Sequence, residues 1–131
     1  MNKLTLLAAA VVSAYLFMRS SGSGYTSKDI GLSKKAANLG IDNTPPPDAI
    51  RAGKKFATET LKPLSKLIGE KITPHSWYRS PELNAAVHGS KTSAHLTGQA
   101  VDIVTTNNLA TAQALAYSNI PFSQLILYNS K

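Results

Sequence analysis

The 131-residue chain has three His, seven Asp and Glu, and no Cys. Without thiols, a disulfide framework and a thiolate metal site are both excluded, so any metal must be held by imidazole and carboxylate. The residues best spaced for chemistry lie in WYRSPELNAAVHGSKTSAHLTGQAVDI, residues 77–103. His95 and Asp102 are separated by a short segment containing Gly98. Asp102 is flanked by Val101 and Ile103, a setting where a bare carboxylate is costly. A metal ion would supply its partner, since imidazole nitrogen and carboxylate oxygen are ordinary zinc ligands. Gly98 permits the tight reversal that returns the chain to the same place. Spacing alone leaves a second reading open, with Asp102 paired to Arg79 or capping a loop and His95 an ordinary loop histidine.

The elements that must position these residues can be read from pattern. Ser33 to Leu39 suits a short helix stopped by Gly40. After three prolines, apolar residues at 50, 57, 61, 64 and 68 fall on one helical stripe. Pro63 should bend or divide that helix, and Gly69 ends it. Lys71 to Trp77 suits a short strand. Pro81 opens a short helix with Ser80 as its N-cap. Ala100 to Thr105 is a buried strand, Asn107 to Tyr117 a helix, and Phe122 to Tyr128 a last strand. The order predicts one α+β domain with a small sheet.

The N-terminus is of different composition. LTLLAAAVVSAYLFM, residues 4–18, carries no charge between Lys3 and Arg19, and Ser/Gly residues 20–24 follow. It reads as an N-terminal apolar helix, either a membrane anchor or a signal segment. The run is shorter than the roughly 20 residues of a spanning helix, but snorkelling of Lys3 and Arg19 could extend it. The expected division is an anchor or signal over 1–19, a linker over 20–24 and a domain over 25–131. The formal net charge of +7 fits an anionic partner such as cell wall or lipid head groups, or a basic surface with no specific partner. Nucleic acid is not favoured, because aromatics are not interleaved with the basic residues and no such motif is present.

Two segments, Tyr78-Arg79-Ser80-Pro81-Glu82-Leu83-Asn84 and Gly89 through Asp102, resemble the D-alanyl-D-alanine carboxypeptidase and L,D-endopeptidase family with the Hedgehog/DD-peptidase fold, in its phage and bacterial branch. The likeness reaches Gly40-Ile41-Asp42-Asn43 and Leu61-Lys62-Pro63-Leu64 upstream, and Phe122-Ser123-Gln124-Leu125-Ile126 downstream. It implies a small antiparallel sheet with flanking helices and a zinc peptidase acting on peptidoglycan stem peptides or cross-links. His95 and Asp102 would be zinc ligands. Arg79 would hold substrate charge, since its planar fork can grip a carboxylate or a developing oxyanion. Ser93 would orient substrate or the His95 loop. Ser80 and Asn84 would be scaffold, one as a cap and one fixing the loop.

The sequence departs from the family in its third zinc ligand, a His on a C-terminal strand, and in the Glu expected near Tyr128. No His follows His95, which leaves His88 and, less favoured, His75 as substitutes. Three explanations stand: a sequence cut short of its last strand, a non-catalytic relative, or a strand from a second chain. The expectation is a zinc enzyme of cell-wall lysis, sited in the cell envelope or in a membrane-containing phage particle with virion or envelope partners. The alternative is a membrane-anchored wall-binding or virion structural protein that keeps the fold without activity.

Overall fold

The computed structural model describes residues 3–8 and 24–128. Strand β1 (Lys3–Leu7) is followed by helices α1 (Ser27–Gly31), α2 (Lys34–Leu39) and α3 (Pro47–Phe56). A π-helical turn, Ala57–Leu61, joins α3 to α4 (Lys62–Ile68). Then come β2 (Thr73–Ser76), α5 (Pro81–Ala86), a 3-10 turn at Ala94–Thr97, β3 (Ala100–Val104), α6 (Asn108–Ala116) and β4 (Gln124–Tyr128). The four strands form one antiparallel sheet in the order β2-β3-β1-β4.

Local chemistry sets most element ends. Ser33 caps α2 by accepting from the Ala36 N–H, and Gly40 closes it in left-handed backbone at φ 65. Ser80 caps α5 through the Leu83 N–H, with Pro81 in its first turn. Asn107 caps α6 through the Ala110 N–H. Pro63 divides its helix as expected, but not by a break. A proline has no N–H and its ring crowds the preceding turn. The backbone widens there, and the Lys62 N–H donates back to the Ala57 carbonyl, five residues away.

Residues 3–7 correct the expectation of an apolar helix starting at residue 4. They form a strand lying between β3 and β4, with Leu4 opposite Ile103 and Leu127, and Leu6 opposite Val101 and Leu125. Leu4 and Leu6 are fully buried in the core with Phe56, Leu61, Trp77 and Leu115. A continuous apolar run masks its own period, and here the sheet supplies backbone partners on both sides of the segment. Residues 1–2 and 9–19 of the expected anchor or signal, and all but Gly24 of the expected linker, lie outside the described residues. Among the described residues, no helix is long and apolar enough to cross a membrane. Helix α1, whose capping box joins Thr26 and Asp29, was not anticipated.

Candidate functional site

Strand β3 carries the buried carboxylate. Val101 and Ile103 face the core, so the alternation of a strand turns Asp102 to the opposite face. There it is still only 2% exposed. Its cross-strand neighbour on β1 is Thr5, which faces the same way because Leu4 and Leu6 face the core. The Thr5 hydroxyl donates to Asp102 Oδ1. Lys3 reaches the same group, with Nζ 3.2 Å from Oδ2. Arg79 Nη2 lies 3.4 Å from Oδ2, and His95 Nε2 lies 3.5 Å from Oδ1. Burial alone would raise the Asp102 pKa. Hydrogen bonds from His95 and Thr5, with the charges of His95 and Lys3, outweigh that and hold it well below the ordinary carboxylate range.

His95 is positioned by its neighbours in the turn and by Trp77. Ser93 caps the 3-10 turn, its Oγ accepting from the His95 N–H at 3.3 Å. Gly98 ends the turn at φ 75, and a Cβ there would stand 2.5 Å from the Ala49 carbonyl oxygen. Only glycine suits both the angle and the space. The buried Trp77 holds this turn at two points. Its indole Nε1 donates to the Gly98 carbonyl at 2.9 Å, and its own carbonyl lies 2.6 Å from His95 Nδ1. The Arg79 N–H donates to the His95 carbonyl at 3.0 Å.

These bonds fix which ring nitrogen faces the carboxylate. A carbonyl can only accept, so Nδ1 carries a proton, and were the ring neutral, Nε2 would present a lone pair toward Asp102. A lone pair opposite a carboxylate is repulsive, so this geometry calls for a positive charge between Nε2 and Oδ1, a proton or a metal ion. An imidazole anchored through its far nitrogen, beside a carboxylate, supplies two of the three or four donors that a zinc site ordinarily takes from protein. His95 and Asp102 therefore fit as two ligands. Among the described residues, no group of three or more His, Cys, Asp or Glu could hold a metal ion.

The structure thus brings together His95, Asp102 and Arg79, with Ser93 holding the His95 turn. Of the two arrangements left open by spacing, the pairing of Asp102 with Arg79 is present, and His95 lies beside the same carboxylate. His88 is exposed beyond α5 in left-handed backbone, φ 57, and is not among the residues lining the cleft over Asp102. His75 does line that cleft, at a register shift of β2 between Pro74 and Ser76, and is exposed. Asn84 Nδ2 donates to the Ser90 carbonyl at 2.9 Å, which fixes the loop. Sequence reasoning missed Lys3 and Thr5, which carry no local signal. It also missed Trp77, although it is the lone Trp and adjoins the motif, and Asn43, whose side chain accepts from the Ser80 N–H and donates to the Tyr78 carbonyl.

The cleft has a volume of about 680 Å³ and includes Lys3, His75, Arg79 and Asp102 in its walls. A groove of about 530 Å³ around Ala36, Ile41 and Ile50 holds no carboxylate or histidine, so the candidate chemistry belongs to the cleft over Asp102.

Comparison with known proteins gives one match. The family model described as Peptidase M15 matches residues 23–131. No curated protein and no solved structure matches the chain.

Proposed function

We propose that this chain, which belongs to the peptidase M15 family, is a zinc-dependent peptidase of peptidoglycan stem peptides or cross-links. The observation that carries this reading is the approach of His95 Nε2 to Asp102 Oδ1, 3.5 Å apart, with Nδ1 already committed to the Trp77 carbonyl. Zinc is the cofactor general to the family, and when bound it supplies Lewis acidity and an acidified water. His95 and Asp102 would hold it. Arg79 would turn its fork from Asp102 to a substrate carboxylate or a developing oxyanion, where two parallel hydrogen bonds add both charge and orientation. Ser93 keeps the His95 turn in place. Work on peptidoglycan would place the protein in the cell envelope or in a phage particle.

A second reading is favoured by a specific observation. Lys3 places its ammonium on Asp102 Oδ2, and among the described residues Asp102 is the only carboxylate lining the cleft. A chain in this arrangement would bind wall peptides and hydrolyse them slowly or not at all. A catalytic zinc site ordinarily has three protein ligands and an open position. The test is digestion of muropeptides by the zinc-loaded chain, with and without chelator, beside a zinc titration. Chelator-sensitive cleavage supports the peptidase. Saturable peptide binding with no cleavage at any zinc concentration would replace it with the wall-binding reading.

A further inference from the structure

The cleft over Asp102 carries more positive charge than the reaction uses. Lys34 and Lys35 line it beside Lys3 and Arg79, and among the described residues Asp102 is its only carboxylate. Both oxygens of Asp102 are already engaged, by Thr5 and His95 on one and by Lys3 and Arg79 on the other. Among the described residues, neither Lys34 nor Lys35 pairs with a carboxylate. A recess lined by one sign of charge focuses its field and concentrates anions.

Isolated surface lysines would mean little, but here two features accompany them. Two exposed apolar side chains border the same cleft, Leu32 at 62% and Val87 at 36% exposure. The wall therefore offers apolar contact next to positive charge. The start of α2, which carries the lysines, is also tied to the segment of Arg79. Ser33 caps the helix they begin. Asn43 donates to the carbonyls of Gly31 and Tyr78, at 2.9 and 3.0 Å. One side chain thus ties the segment before Leu32 to the segment before Arg79, so the backbone that carries the lysines is fixed relative to that of Arg79.

We infer that Lys34 and Lys35 bind a second anionic group of the ligand, so that the cleft selects short peptides bearing a side-chain carboxylate beside an apolar residue, in addition to the carboxylate taken by Arg79. The inference rests on the reading of this cleft as a peptide site, and it deepens that reading by naming Lys34 and Lys35 as specificity residues.

The test uses the full chain in chelator, so that it does not depend on hydrolysis. Two probes are titrated by calorimetry at low salt, N-acetyl-Ala-Glu-Ala and N-acetyl-Ala-Gln-Ala, which differ by one negative charge. The dianion should bind about 3- to 10-fold more tightly, the effect of one or two partly solvated ion pairs. The preference should shrink as salt is raised. Lys34→Gln with Lys35→Gln should bring the dianion to the level of the monoanion, and Lys34→Arg with Lys35→Arg should retain the preference. A control pair on α3, Lys54→Gln with Lys55→Gln, is exposed and outside the cleft, and should leave the preference intact. Equal affinities in the unmodified chain, or a preference that survives Lys34→Gln/Lys35→Gln, would overturn the inference. So would its loss in the α3 control, which would reduce it to net charge. Preference without zinc-dependent cleavage refutes the peptidase reading alone, and cleavage without preference refutes this one alone.

Discussion

The ammonium of Lys3 lies 3.2 Å from Asp102 Oδ2, joining the start of the chain to the carboxylate of the candidate site. It also stands over the Tyr128 ring, 4.8 Å from its centroid. A metal ion at Asp102 must compete with this cation. Lys3→Ala should therefore bind zinc about 3- to 10-fold more tightly, a modest gain because Lys3 is partly solvated. Competition against a chromophoric chelator measures it. Identical titrations for the two proteins would show that Lys3 does not hold Asp102 in solution.

Trp77 holds the His95 turn at two points, one through its indole and one through its backbone. Trp77→Phe keeps an aromatic ring and the backbone carbonyl but leaves the buried Gly98 carbonyl without its donor. Urea unfolding should show a loss of about 1–3 kcal/mol. Zinc affinity should fall with it, because the turn that orients Nε2 is loosened. An unchanged midpoint would mean that the indole bond contributes nothing.

Asp102 gives a signed pH dependence in the metal-free chain. Its folded pKa is lowered from the ordinary 3.8. Its contribution is therefore complete above the unfolded value and is lost as pH falls through the folded one. Asp102→Asn keeps the shape but strips Lys3 and Arg79 of their counter-charge. It should cost about 1–3 kcal/mol at pH 7, less than a fully buried pair because both cations are partly exposed. The two proteins should converge in stability as pH drops below about 3.8. A gap that stays constant down to pH 2 would contradict the assignment.

Gly40 and Gly98 separate two effects of a glycine. Both adopt left-handed backbone, but a Cβ at Gly40 meets nothing within 4 Å, whereas one at Gly98 meets the Ala49 carbonyl oxygen at 2.5 Å. Gly40→Ala should cost about 1 kcal/mol, the backbone term alone. Gly98→Ala should cost roughly 2 kcal/mol or more and weaken zinc binding as well, because the shift falls on the His95 turn. Equal losses in a thermal melt would refute the close contact.

Much of this protein is legible one segment at a time. The caps at Ser33, Ser80 and Asn107 act on N–H groups three residues on, so sequence alone places the starts of α2, α5 and α6. The pairing of His95 with Asp102 is similarly local, because one turn closed by Gly98 connects them. Residues 3–7 are the contrary case. LTLL is as apolar as a helix or a strand requires, and its neighbours in sequence do not choose between them. The choice comes from the gap between β3 and β4, where backbone groups on both sides need partners. The same placement brings Lys3 and Thr5 to a carboxylate 97 to 99 positions away in sequence. No periodicity or spacing encodes that contact, since it depends on which strand fills the sheet. The sequence by itself determined that His95 and Asp102 lie side by side, whereas only the tertiary structure decided which cations surround Asp102.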